Sequence, residues 1–241
     1  MKIIVPMAGL LPLCPPRRCY ISMKTKSQCL VKVSGLSKSY GRRRVLNQLE
    51  FEVESGSGFV IRGSNGSGKT TFLETLSTIS RPDEGSIVVC GVSLKEDSAF
   101  VRSKIGLVAH SSYLYPQLTV KENLVFFSRL NQVPPQALDE NILLSQMGLD
   151  TRLNQRVSTL SHGFQKRVSI VRSMLHCPEV LLLDEPETGL DEETLSVLKG
   201  LIKAFLSDGG SVILTTHLDK LDYGSKMENL FLKNGKLMPL S

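Results

Sequence analysis

The chain has 241 residues, 41% of them hydrophobic and 22% charged, with a formal net charge of +6 at pH 7; this length predicts one domain of ordinary size and is marginal for two. Residues 1–29 hold five cations (Lys2, Arg17, Arg18, Lys24, Lys26) and no acid, which leaves 24 Lys+Arg against 23 Asp+Glu, or +1, for the remaining 212. The bulk of the chain therefore excludes a broadly basic surface for gripping nucleic acid, and the lack of any apolar run of about 18 residues excludes a membrane-spanning helix.

The basic head contains four of the eleven prolines, which interrupt the apolar stretch after Lys2 too often for a secretory signal. Residues 1–29 are expected to be a disordered or mis-started extension, with Met23 as an alternative beginning; a basic tail touching a membrane is the other reading. Three of the five cysteines (Cys14, Cys19, Cys29) lie in that head, and Cys90 and Cys177 stand singly among apolar residues. Without metal-type pairs or an evenly spaced framework, a reduced, cytosolic setting is expected.

Residues 30–241 are expected to form a single organised domain. Strand character appears at 30–34, 45–53 and 58–62, separated by Gly-rich or charged turns, and residues 69–78 read as a helix. Strands at 86–90 and 105–109 follow. Residues 119–130 and 136–147 look helical, joined at Pro134 and Pro135. Helix 164–176, strand 180–183, helix 192–206 and strand 211–215 complete the series. Such βαβα alternation predicts a mostly parallel sheet covered by helices. The helical stretch from Thr119 to Met147 interrupts it as an inserted subdomain.

Between the strand at 58–62 and the next helix lies Gly63-Ser64-Asn65-Gly66-Ser67-Gly68-Lys69-Thr70, which fits the phosphate-loop pattern G-x-x-x-x-G-K-[ST]. Glycines let the backbone curl so that its N–H groups face phosphate oxygens, and the helix dipole adds to the attraction. Lys69 is expected to reach the β- and γ-phosphates and the Thr70 hydroxyl to ligate Mg²⁺. A second element, the apolar run 180–183 followed by Asp184-Glu185-Pro186, delivers two carboxylates to the C-terminal edge of a strand, where open α/β sheets bind ligands. Either acid alone would read as an ordinary strand-end cap. Behind a phosphate loop, Asp184 is expected to serve Mg²⁺ and Glu185 to orient or deprotonate the attacking water.

Leu160-Ser161-His162-Gly163-Phe164-Gln165-Lys166-Arg167, ending 17 residues before Asp184, resembles the signature of ATP-binding cassette (ABC) proteins. Thr188-Gly189-Leu190-Asp191 resembles that family's D-loop, Thr215-Thr216-His217 its switch histidine, and Tyr40 the aromatic that stacks on adenine. The resemblance runs from about Leu30 to Leu237. It implies a P-loop NTPase (RecA-like) parallel-sheet core with an antiparallel β subdomain and a helical insert over about 111–165. It also implies ATP and Mg²⁺ as ligands, with Gly63 through Thr71 on the nucleotide, and Glu185 and His217 as catalytic residues. Ser161, His162 and Gly163 would bind in trans in a head-to-tail dimer, homomeric or heteromeric, with Asp191 speaking across the interface. A permease on separate chains would hold the subunit on the cytoplasmic face of the membrane.

Two departures stand out. The signature reads His162-Gly163-Phe164 where the family has two glycines and a glutamine, and His110 occupies the Q-loop glutamine position. Mg²⁺ prefers hard oxygen donors, so His110 is expected to act through water or through the helical insert and not as a direct metal ligand. Residues 108–124, together with Leu160-Ser161-His162-Gly163, resemble the ATP-binding subunit of heme exporters in cytochrome c maturation. Another exporter's ATPase and a soluble ABC ATPase without transport are the competing readings. A phosphate-loop kinase or GTPase would not need the signature.

Overall fold

A computed structural model describes residues 28–134, 136–139, 141–218, 223–224 and 226–239. The extension expected over residues 1–29 lies, but for Gln28 and Cys29, outside the described residues.

Strands β1 (Cys29–Tyr40) and β2 (Arg43–Glu54) form an antiparallel hairpin. Along β2, Leu49, Phe51 and Val53 are buried and Glu50, Glu52 and Glu54 are exposed, the alternation of a sheet with one dry face. β3 (Gly58–Arg62) leads through the phosphate loop into α1 (Lys69–Leu76). β4 (Glu84–Val89), the short β5 (Val92–Ser93), α2 (Ser98–Lys104) and β6 (Ile105–Val108) follow. Next come α3 (Val120–Leu130), α4 (Gln136–Asp139) and α5 (Ile142–Gln146), and then α6 (His162–Met174) and β7 (Val180–Asp184). α7 (Glu192–Ser207), β8 (Ser211–Thr215), β9 (Met227–Lys233) and β10 (Lys236–Pro239) complete the described chain.

Two sheets result. One is antiparallel, in the order β2-β1-β4-β5; the other runs β10-β9-β3-β8-β7-β6, parallel except for the β9–β10 pair. A parallel core, an antiparallel β subdomain and helices inserted between β6 and α6 are thus all present. β7 and β8 are buried along their whole length, because both faces of the sheet are covered. One apolar core joins α6, α7 and the insert helices to one face of the parallel sheet; the other joins the β1–β2 hairpin and α1 to the opposite face.

The sequence-based elements need four corrections. The helix expected over 136–147 is broken into α4 and α5, because the Asn141 side chain caps α5 by accepting from the Leu143 N–H at 3.0 Å. The first strand continues from residue 34 to Tyr40 through irregular register steps. β5, α2 and the β9–β10 hairpin were not foreseen; α2 is started by Asp97, which accepts from the N–H groups of Ala99 and Phe100. Cys177, read as an isolated reduced thiol, is disulfide-bonded. No helix among the described residues is long and apolar enough to cross a membrane.

Candidate nucleotide site

The phosphate loop owes its path to glycines in left-handed conformations. Gly66 has φ 74° and Gly68, the N-cap of α1, has φ 108°, and a Cβ on Gly68 would lie 2.8 Å from Val45 Cγ1. Among the described residues no side chain caps α1, so its first N–H groups remain available to an anion. Lys69 is buried and folds back on the loop, its Nζ donating to the carbonyls of Gly63 at 2.8 Å and Ser64 at 3.3 Å. Among the described residues the Ser67 hydroxyl is buried without a partner. Arg43, which the motif reading missed, donates from Nη2 to the Gly66 carbonyl at 3.0 Å and so ties the β1–β2 turn to the loop. On the same hairpin Tyr40 is 51% exposed, its ring open for stacking, with Lys38 Nζ 5.5 Å from its centroid.

Opposite the loop, Thr70 Oγ1 donates to Asp184 Oδ2 at 2.9 Å, and Thr215 Oγ1 donates to Asp184 Oδ1. Asp184 is 2% exposed. A hydroxyl and a carboxylate are the hard oxygen donors that Mg²⁺ takes, and the orphaned Ser67 hydroxyl and uncapped α1 suit phosphate oxygens, so the residues present fit a Mg²⁺–nucleotide. Glu185 follows with φ 45°, a strained backbone that turns it off the strand line. Its N–H donates to the Thr215 carbonyl at 3.1 Å, and its Oε1 lies 3.4 Å from His217 Nδ1. A cavity of about 180 Å³ bounded by Thr70, Glu74, Ala109, His110 and Asp184 brings the Q-loop position to the same place.

The signature is positioned differently. Ser161 caps α6 by accepting from the Phe164 N–H at 3.4 Å, leaving His162 exposed and Gly163 pressed against the D-loop, where a Cβ would be 2.3 Å from the Gly189 carbonyl oxygen. Asp191 caps α7 by accepting from the Thr194 N–H at 3.0 Å and pairs with Arg167 Nη2 at 2.8 Å. Its carboxyl is held below the ordinary aspartate value by the hydrogen bonds from Thr194 first and by Arg167 as well. The guanidinium carbons of Arg152 and Arg167 lie 4.0 and 4.7 Å from the ring centroid of Phe164. Among the described residues no hydrogen bond or ion pair joins Ser161, His162 or Gly163 to residues 63–71.

Sequence reading also missed a clamp between α6 and the segment that carries His110. Lys166 Nζ donates to the Ala109 carbonyl at 3.2 Å, and Ser169 Oγ to Ser112 at 3.2 Å. Arg172 donates to the carbonyls of Ser112 at 2.8 Å, Tyr113 at 3.1 Å and Leu107 at 3.0 Å. Burial pushes the Lys166 ammonium below its ordinary value against the pull of Asp184, Glu187 and Glu185, and it pushes the Arg172 guanidinium down to about 10. The available signal was spacing: Lys166, Ser169 and Arg172 recur at i, i+3 and i+6 on a helix whose other buried residues, Ser173 apart, are apolar.

The sequence profile of the ABC transporter family matches residues 46–188. Nod factor export ATP-binding protein I of Paraburkholderia xenovorans is 34% identical over 199 residues, 79% of this chain and 63% of that protein. The chain thus spans about three fifths of the length of the curated relatives it matches. A solved ATP-binding subunit of an ABC transporter superposes with a TM-score of 0.78 at 26% identity, over 86% of this chain and 88% of that one. An ATP-binding cassette solved as a dimer in a post-hydrolysis state with ADP and Pi gives 0.75 at 27%, over 86% and 96%. Since the profile covers more than half of the sequence, and with it the phosphate loop, Leu160–Arg167 and both acids, the chain belongs to the ABC transporter family.

Proposed function

We propose that this chain hydrolyses ATP to ADP and phosphate and couples that reaction to a membrane transporter. The observation that carries the reading is Glu185, turned out by its left-handed backbone to face His217 at 3.4 Å beside the Thr70–Asp184 pair. Lys69 exchanges the Gly63 and Ser64 carbonyls for the β- and γ-phosphates as nucleotide enters, and the N–H groups of the loop and of α1 take the remaining oxygens. Thr70 and Asp184 would hold Mg²⁺, which when bound neutralises charge on the β- and γ-phosphate oxygens. Glu185 accepts the proton of the attacking water, and His217 orients that water and the γ-phosphate. His110 stands at the rim of this cavity, where it senses occupancy through water. Ser161, His162 and Gly163 complete the site of a second copy, or of a related subunit, arranged head to tail, with Asp191 at the seam.

The partner in this reading is a permease on separate chains, which keeps the subunit on the cytoplasmic face of the membrane. For cargo, the wording of residues 108–124 supports heme export in cytochrome c maturation, whereas similarity to a Nod factor export protein supports an exporter of another molecule. Affinity purification from membranes tests the partner: a co-purifying permease supports transport, and ribosomal or Fe–S assembly partners overturn it. Hydrolysis is tested by Glu185→Gln, which should keep ATP binding and lower turnover by roughly two to four decades. Normal steady-state turnover in that variant would remove Glu185 from its role.

A further inference from the structure

Two residues beyond Glu185 the chain buries a second acid, Glu187, which the reaction as described does not use. It is 7% exposed. One carboxylate oxygen accepts from the Thr216 hydroxyl and the other from the Tyr223 hydroxyl at 3.5 Å. Burial first, and then the charge of Glu187, push the Tyr223 phenol above its ordinary value, so it stays a protonated donor. Thr216 is fully buried and immediately precedes His217.

A threonine hydroxyl has one proton to give and lone pairs to receive with. Here the proton goes to Glu187, and the Leu218 N–H donates to the same oxygen at 3.1 Å. His217 is therefore suspended between two residues fixed by one hydroxyl, whose direction Glu187 sets. The Thr216 N–H, donating to the Ile61 carbonyl at 3.2 Å, and Arg62, donating to the Leu218 carbonyl, hold the same turn to β3. In the other direction the Glu187 carbonyl accepts from the Leu190 N–H at 3.1 Å. That closes the turn whose Gly189 abuts Gly163 of α6.

Packing alone does not call for a carboxyl group here. Burying a carboxylate is costly, and a side chain of similar volume without charge fills such a gap at less expense. A carboxylate does supply two acceptors in fixed directions, one for each hydroxyl.

We propose that Glu187 is a positioning residue for ATP hydrolysis: by fixing the Thr216 hydroxyl it holds the His217 imidazole at Glu185 and ties that geometry to the D-loop turn against the signature helix. The proposal deepens the ATPase reading and rests on it. Its test uses the full chain and four variants, Glu187→Ala, Glu187→Gln, Thr216→Val and the Glu187→Ala/Thr216→Val double variant. For each, kcat and KM for ATP are measured separately from equilibrium nucleotide binding. Glu187→Ala should lower kcat about 10- to 100-fold while nucleotide Kd stays within about threefold, the pattern of an interaction that matters in the transition state. Glutamine, whose carbonyl oxygen still accepts from Thr216, should recover kcat to within about fivefold of the parent. Thr216→Val should resemble Glu187→Ala, and the double variant should be no worse than either single one.

An unchanged kcat in Glu187→Ala, a loss carried equally by Kd, a glutamine variant as poor as alanine, or multiplying effects in the double variant would each overturn the proposal. Should Glu187→Ala fail to fold, Glu187→Gln and Thr216→Val decide it on the same measurements. The underlying reading fails differently: a parent chain that binds nucleotide without turnover overturns hydrolysis and this proposal together, whereas normal parent turnover with an indifferent Glu187→Ala overturns only the latter.

Discussion

Replacing Gly163 by alanine would put a methyl group where there is no room for one. The added Cβ would stand 2.3 Å from the Gly189 carbonyl oxygen, about 1 Å inside a close C–H···O contact of roughly 3.3 Å. Both sides of that contact are main chain: Gly163 lies in the first turn of α6, and Gly189, at φ 80°, lies in the turn before α7. No flexible side chain can give way. Relief has to come from parting α6 from the D-loop, which stretches the Arg167–Asp191 pair across the same seam. Overpacking of this kind costs about 1–3 kcal/mol, or roughly 2–12 °C in Tm for a chain of this size. A shift of about 1 Å at a catalytic surface lowers turnover by up to about 100-fold. Thermal melting and steady-state ATP turnover on Gly163→Ala, with nucleotide Kd measured alongside, separate the two effects. A variant with the parent's Tm and kcat would refute the reasoning, because it would mean that the close approach is absent or freely yielding.

Other expectations follow from the same structure. Gly200 is exposed in the middle of α7 and a Cβ there meets nothing within 4 Å, so Gly200→Ala should raise unfolding stability by about 0.5–1 kcal/mol in urea titration. Lys69→Ala should weaken equilibrium nucleotide binding, whereas Ser161→Arg should spare binding and block ATP-dependent dimerisation; loss of both in both variants would indicate misfolding instead. Burial holds the His176 imidazole below the ordinary histidine value of 6.5, with the hydrogen bond to Ile105 opposing it and the charge of Arg172 adding to it. Between its folded value and 6.5 the unfolded chain binds more protons, so its contribution to stability is complete above pH 6.5 and is lost as pH falls below it. The slope is at most about 1.4 kcal/mol per pH unit. Urea midpoints at about pH 5.5 and 7.5 should differ less in His176→Gln than in the parent.

Elements whose signals are contiguous were legible in the sequence. β7 and β8 are short apolar runs between turn residues, and the phosphate loop concentrates its glycines, lysine and threonine in one stretch. The break at Asn141 was not legible, because a single side-chain cap outweighed an otherwise helical pattern. Nor was the β9–β10 hairpin, whose strands alternate poorly: Glu228 and Asn229 are both exposed, as are Lys236, Met238 and Pro239. In the site, the placement of Asp184 and Glu185 at the end of β7 could be read from the sequence. The contacts of Glu187 with Thr216 and Tyr223 could not, since they join residues 29 and 36 positions apart that meet only where parallel strands end side by side. Arg43 lies in a run of three arginines that looked like a solvated turn, and only the folded hairpin singles out the one that reaches Gly66.

The clamp on residues 107–113 is addressed entirely to carbonyl oxygens. Lys166, Ser169 and Arg172 grip a course of main chain and ignore what that chain carries. A substitution within the segment, if it spares the backbone path, leaves the grip untouched. This freedom lets position 110 carry an imidazole while the surrounding strand and helix keep their places. Side-chain chemistry facing the cavity beside Thr70 and Asp184 and mechanical attachment to α6 are thereby separate properties of one short segment, and each can change without the other.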